Sequence, residues 1–88
     1  MNTILLRHLI GETLREARLS AGLTLREVAD RGLTSLGYLS EVERGRKEAS
    51  SELLASISAA VGLSQSALLT EAARKAMREE RPELRAAA

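Results

Sequence analysis

The chain has 88 residues, 44% hydrophobic and 28% charged, which suits one small soluble globular domain and not a disordered protein. It has no cysteine, so disulfides and thiolate metal sites are excluded, and no apolar run approaches the roughly 20 residues that cross a membrane. The formal net charge is only +1, so any binding of nucleic acid must rest on local clusters of charge and not on the total.

The apolar residues are almost all Leu, Ile, Val and Ala; there is no Phe or Trp and one Tyr. With Arg and Glu abundant, helix is the expected state throughout. The opening residues, Met1 to Leu6, do not have the form of a signal peptide. Leu6, Leu9, Ile10, Leu14 and Ala17 then recur at helical spacing, and Gly22 is a natural stop, so a first helix is predicted from about His8 to Ala21. Arg7, Glu12, Arg15, Glu16 and Arg18 fall largely on its other side, where Arg15 and Arg18 are expected to be solvated.

Thr24 and Glu27 have capping-box spacing and start a short second helix, about Leu25 to Arg31, with Leu25, Val28 and Ala29 on its apolar face. Gly32, Leu33 and Thr34 break the pattern. Ser35 is a good N-cap for a third helix, about Leu36 to Arg44, with Leu39 and Val42 inward and Gly45 as its stop. After a loop from Arg46 to Ala49, Ser50 or Ser51 caps a fourth helix, whose stripe is Leu53, Leu54, Ile57, Ala60 and Val61 and whose stop is Gly62. Ser64 caps a fifth helix from about Gln65 to Glu80, which Pro82 ends.

The segment from Thr24 to Gly45 carries the function. Two short helices joined by three or four residues, with the small Ala29 where they cross, form a helix-turn-helix. Packing of Leu25, Val28, Leu39 and Val42 frees the outer face of the third helix. That face holds Leu36, Gly37, Ser40, Glu41 and Arg44. A recognition helix enters the major groove with its N-terminal residues nearest the base edges. Ser35 and the first backbone N–H groups suit a phosphate. Arg44 suits guanine or phosphate, and Glu41 either accepts from a cytosine amino group or orients Arg44. Arg46 and Lys47 lie where the chain would follow the DNA backbone and would supply affinity and register. Tyr38 is expected to be packed with its hydroxyl on a phosphate, and Glu43 to form an internal salt bridge. Leu36 is either a thymine-methyl contact or a partly buried core residue.

At these residues the chain resembles a known family. Thr24 to Gly45, followed by the Ser-capped helix that ends Ala60-Val61-Gly62-Leu63-Ser64, looks like the Cro/repressor-type, XRE-like DNA-binding domain, over about Leu6 to Leu69. The run from Leu36 to Glu52 resembles, more narrowly, the actinobacterial Clp gene regulators. The resemblance implies an all-α, five-helix, lambda-repressor-like domain. It also implies a transcription factor, typically an activator of Clp protease and chaperone genes, that binds palindromic promoter sites in double-stranded DNA as a homodimer. The DNA-contacting set would be Thr24, Ser35, Leu36, Gly37, Tyr38, Ser40, Glu41, Arg44, Arg46 and Lys47. The chain departs from the wider family twice: Leu25 stands where glutamine usually helps hold phosphate, and Leu33 where the turn usually has glycine, with Gly32 before it. One phosphate contact fewer and a differently shaped turn are therefore expected.

Leu68, Leu69, Ala72, Ala73, Ala76 and Met77 make a stripe along the fifth helix. Leu68 belongs to the core. Leu69 is also drawn on by the core, while Ala72, Ala76 and Met77 extend past what four packed helices cover. This predicts a two-fold dimer through the helix, with Leu69, Ala72, Ala73, Ala76 and Met77 as its face, the alternative being that the helix folds back onto its own domain. The domain would span 1–81, with the dimerisation helix at about 64–81 and a flexible tail at 82–88. The final Ala86, Ala87 and Ala88 resemble endings read by Clp proteases, which makes such a protease a partner to consider beside RNA polymerase. A cytoplasmic, nucleoid-associated protein is expected.

An enzyme is not expected. The only histidine, His8, reads as a boundary residue, the acidic groups are scattered, and Gly32, Gly37 and Gly45 are too dispersed for a phosphate loop. No catalytic residue, metal site or cofactor is therefore assigned. The rival class is a protein-binding XRE-like module such as an antitoxin, whose basic cluster would not bind duplex DNA.

Overall fold

The computed structural model describes residues 5–80. Those residues form five helices in the expected order: α1 (Leu6–Ser20), α2 (Leu25–Arg31), α3 (Leu36–Glu43), α4 (Ser51–Ala60) and α5 (Gln65–Glu80). Local chemistry sets most boundaries. The hydroxyls of Thr24, Ser35, Ser50 and Ser64 accept from the backbone N–H groups of Glu27, Tyr38, Leu53 and Ala67, at 3.1, 3.1, 3.2 and 3.0 Å. Each satisfies a donor that the first helical turn leaves open. α1 starts two residues before the expected His8 because no such residue marks its entry: Leu5 occupies the N-cap position without a side-chain bond.

α1 to α4 all end in the same way, with a left-handed residue after the last turn and paired bonds back into the helix. At the end of α3, Gly45 N–H donates to Val42 O at 3.0 Å and Arg46 N–H to Glu41 O at 2.9 Å, with Gly45 at φ +74°. At the end of α2 the left-handed residue is Leu33, at φ 55°. Its N–H donates to Asp30 O and that of Thr34 to Ala29 O. The turn of the helix-turn-helix therefore keeps the left-handed form that glycine would give, contrary to the expectation of a different shape. A side chain in that conformation costs roughly 1–2 kcal/mol.

Leu14, Val28, Ala29, Leu39, Val42, Ile57, Val61 and Leu68 form one buried cluster, drawn from all five helices and the end of α4. α2 packs on α3 and α4, while α1 packs on α3 and α5. The return of α5 onto α1 corrects one expectation. Ala72, assigned to a dimer face, is 1% exposed, covered within its own domain. Lys75 reinforces this packing: its ammonium donates to Glu16 Oε1 at 2.6 Å and to Thr13 Oγ1 at 3.1 Å across the two helices. Pro82, the tail at 82–88 and its terminal alanines lie outside the described residues.

α1 and α3 meet at Gly11, where an added Cβ would run into the carbonyl oxygen of Val42 and approach that of Glu43. In a helix interior, Ala normally beats Gly by roughly 0.5–1 kcal/mol. Here the obstacle is backbone, and overpacking of this kind costs about 1–3 kcal/mol. Gly11→Ala is therefore expected to lower the stability measured by denaturant unfolding, against the helix-propensity trend. A more stable variant would show that the two helices do not approach this closely.

Candidate nucleic-acid interface

The recognition surface is built from the back. Glu43, at the last turn of α3, faces inward and meets Arg18 of α1. Arg18 Nε and Nη2 donate to Glu43 Oε2 and Oε1 at 2.8 and 3.0 Å, while Nη1 donates to Leu23 O at 3.1 Å. The side chains are 13% and 6% exposed, so this bidentate pair is largely desolvated. The bonds to Glu43 hold the Arg18 guanidinium above its ordinary pKa, outweighing burial. The internal salt bridge expected for Glu43 is present. The expectation that Arg18 is solvated is wrong, because its partner lies 25 residues away in the chain. Arg15 is exposed as expected.

With Glu43 turned inward and Leu39 and Val42 buried, α3 offers its other face to solvent. Leu36 and Gly37 are exposed there, and Ser40 and Glu41 half-buried. Glu41 Oε1 stands 3.8 Å from Arg44 Nη1, an ion pair one turn apart on the same helix face. Arg44, Arg46 and Lys47 are all exposed at the carboxyl end of α3 and in the loop beyond. Ser35 and Thr24, both exposed, cap the starts of α3 and α2. The structure thus gathers nine of the expected residues along α3 and its flanks, with Thr24 at the entry to α2.

The cap on α2 is reciprocal. Thr24 N–H donates to Glu27 Oε1 at 2.9 Å, and Thr24 holds the Glu27 carboxyl below its usual pKa, mainly through that backbone bond. The contribution of the charged cap is present above the ordinary glutamate value and is lost as pH falls through the lowered, folded one.

Tyr38 packs against the core as expected, but its hydroxyl is engaged within the chain. Its hydroxyl donates to the carbonyl oxygen of Glu48 at 2.6 Å, closing the loop after α3 instead of pointing to a phosphate. Lys47 Nζ lies 6.0 Å from the centre of its ring. Two further residues, which the sequence alone did not assign to this surface, border it. Arg7 Nε donates to Gly45 O at 2.9 Å, and His8 packs where a Cβ on Gly45 would have to go.

The helix-turn-helix family HTH_3 matches residues 14–68, more than half of the chain. The chain belongs to the XRE-type helix-turn-helix family. It is a DNA-binding transcription regulator. It is 54% identical over 77 residues to the transcriptional regulator ClgR of Mycobacterium tuberculosis, covering 88% of this chain and 69% of that protein. HTH-type transcriptional regulator DdrOP3 of Deinococcus deserti is 41% identical over 58 residues, covering 66% of this chain and 45% of that one. A crystal structure of the clp gene regulator ClgR from Corynebacterium glutamicum superposes with a TM-score of 0.84 at 47% identity, covering 98% of this chain and 93% of that one. The restriction-modification controller protein C.Esp1396I, at 17% identity, shares the fold with a TM-score of 0.77, over 85% of this chain and 99% of that one. The five helices thus form the lambda-repressor-like fold of this helix-turn-helix family.

Gly37 distinguishes binding from packing on this surface. It lies in the first turn of α3, and a Cβ there would meet nothing within 4 Å. Nothing among the described residues requires glycine at this site, yet glycine lowers helix stability. Gly37→Ala is expected to raise thermal stability by about 0.5 kcal/mol while weakening DNA binding, because the added methyl enters the space a base edge would use. Unchanged affinity would remove Gly37 from the contact surface.

Proposed function

We propose that the chain regulates Clp protease and chaperone genes as an activator on palindromic promoter sites; the 54% identical ClgR of C. glutamicum is described as a clp gene regulator. The observation that carries this reading is the outer face of α3, with Leu36, Gly37, Ser40, Glu41 and Arg44 turned from the core and Arg46 and Lys47 beyond its end. Leu36, Gly37, Ser40 and Glu41 are the base-side group, with Arg44 reaching guanine or phosphate and Ser35 at the helix start facing a phosphate. Thr24, Arg46 and Lys47 flank it as phosphate contacts. Tyr38 serves by holding the loop.

A palindrome calls for a two-fold pair of recognition helices about 34 Å apart. We assign the pairing to α5. Leu69, Ala73 and Met77 recur there at four-residue spacing and are exposed, Met77 at 52%, with Ala76 half-buried beside them. Burial of Ala72 narrows the predicted stripe to these four. Regulator and promoter would meet in the cytoplasm, at the nucleoid. Activation also requires contact with RNA polymerase. A Clp protease acting on Ala86 to Ala88 would make the regulator a substrate of the genes it controls.

Fluorescence anisotropy with a Clp-operon promoter duplex and a scrambled duplex, at several salt concentrations, tests the proposal. The promoter is expected to bind about a thousandfold more tightly. If Arg44, Arg46 and Lys47 of both copies neutralise phosphates, log affinity should fall against log salt with a slope of about −5. Equal, weak binding to both duplexes would overturn the promoter assignment. Binding to neither would favour the protein-binding module.

A further inference from the structure

The basic loop after α3 is held at both ends. At its start, Arg7 Nε donates to Gly45 O at 2.9 Å, and Gly45 sits against His8. At its far end, the Tyr38 hydroxyl donates to Glu48 O at 2.6 Å, and Arg7 Nη1 approaches Glu48 Oε1 at 3.9 Å. Arg46 and Lys47, both exposed, lie between these ties. Arg7 stands on the first turn of α1, 38 residues from Gly45, and reaches both the backbone and the acidic side chain of the loop.

The geometry points to Arg7 as a positioning residue for phosphate binding: it fixes the Gly45–Glu48 loop so that Arg46 and Lys47 reach the DNA backbone without first being ordered. This deepens the proposed DNA-binding function and rests on it. Two long basic side chains on a free loop lose rotamer and backbone freedom on binding, and pre-organising them removes part of that cost. Glu48 would also draw Lys47 or Arg46 away from phosphate, and Arg7 offers that carboxylate a competing cation. The guanidinium suits both tasks, since its Nε and Nη groups point along separate directions that one ammonium does not reproduce.

The test compares the full chain with Arg7→Met and Arg7→Lys, alone and combined with an Arg46→Ala, Lys47→Ala double variant, on promoter and scrambled duplexes. Arg7→Met is expected to weaken both duplexes by a similar factor, about tenfold, and to leave the ratio between them unchanged, since phosphate contacts carry no sequence information. The salt slope should become shallower by about 0.9 for each phosphate that is no longer neutralised. Arg7→Lys keeps the charge and should still lose most of this affinity. In the Arg46→Ala, Lys47→Ala background, replacing Arg7 should change nothing further.

Amide relaxation by NMR without DNA supplies a readout independent of binding: residues 46–48 should gain motion in Arg7→Met while the amides of α1 and α3 do not. An additive loss in the combined variant would make Arg7 a direct phosphate contact and overturn the proposal. So would an Arg7→Lys variant that binds like wild type, or unchanged loop amides. If wild type binds neither duplex, the DNA-binding function fails, and the positioning role fails with it.

Discussion

One face of α1 determines where the recognition helix can lie. Arg7, Gly11, Leu14 and Arg18 recur at helical spacing along it and meet α3 and its loop in four different ways. Gly11 lets the two backbones touch, and Leu14 fills the core between them. Arg18 holds the last turn of α3 through Glu43, while Arg7 holds the carbonyl just past it. Of these, the Arg18–Glu43 pair is the most demanding. Removing one partner would cost the bidentate bonds and leave the other charge with little solvent, about 1–3 kcal/mol. Such a pair favours one orientation over the many that a purely apolar contact would allow.

That orientation has an electrostatic consequence. Glu43 lies among Arg44, Arg46 and Lys47 in sequence, and facing outward it would oppose a phosphate backbone. Turned inward and matched by Arg18, it removes one negative charge from beside those cations. A chain of net charge +1 can thus present a local basic edge without being basic as a whole. Nearby residues show costs that the folded chain alone does not require. Leu33 adopts a left-handed turn at 89% exposure, and Gly37 occupies a helical site with open space around it. The Gly37 cost is consistent with a surface shaped by what it binds.

What the sequence revealed follows the range of the interactions. Capping hydroxyls, glycine stops and the leucine stripes act within four or five residues, so the five helices and their order were legible. The outer face of α3 was legible for the same reason, since Leu39 and Val42 fix which side is inside. Long-range partners were not. Arg7 and Arg18 are charged residues on a largely polar face, and nothing local distinguishes them from the exposed Arg15. Their roles depend on Gly45 and Glu43 arriving from 38 and 25 residues away. Tyr38 looked available to phosphate because its acceptor lies across a loop of unknown path. Ala72 looked spare because the stripe of α5 fits a second copy as well as it fits a helix folded back onto its own domain, and nothing local decides between the two.

On this account α1 holds α3 from behind, so that the outer face of α3 and the following loop meet DNA, with Thr24 at the entry to α2 beside them. Backbone amide shifts of the labelled chain, followed while a promoter duplex is added, test this most directly. Large changes are expected at Thr24, across Ser35 to Glu41, and from Arg44 to Lys47, with the amides of α1 around Leu14 unmoved. Large changes centred on the exposed face of α5, with Leu36 to Arg44 unaffected, would contradict it.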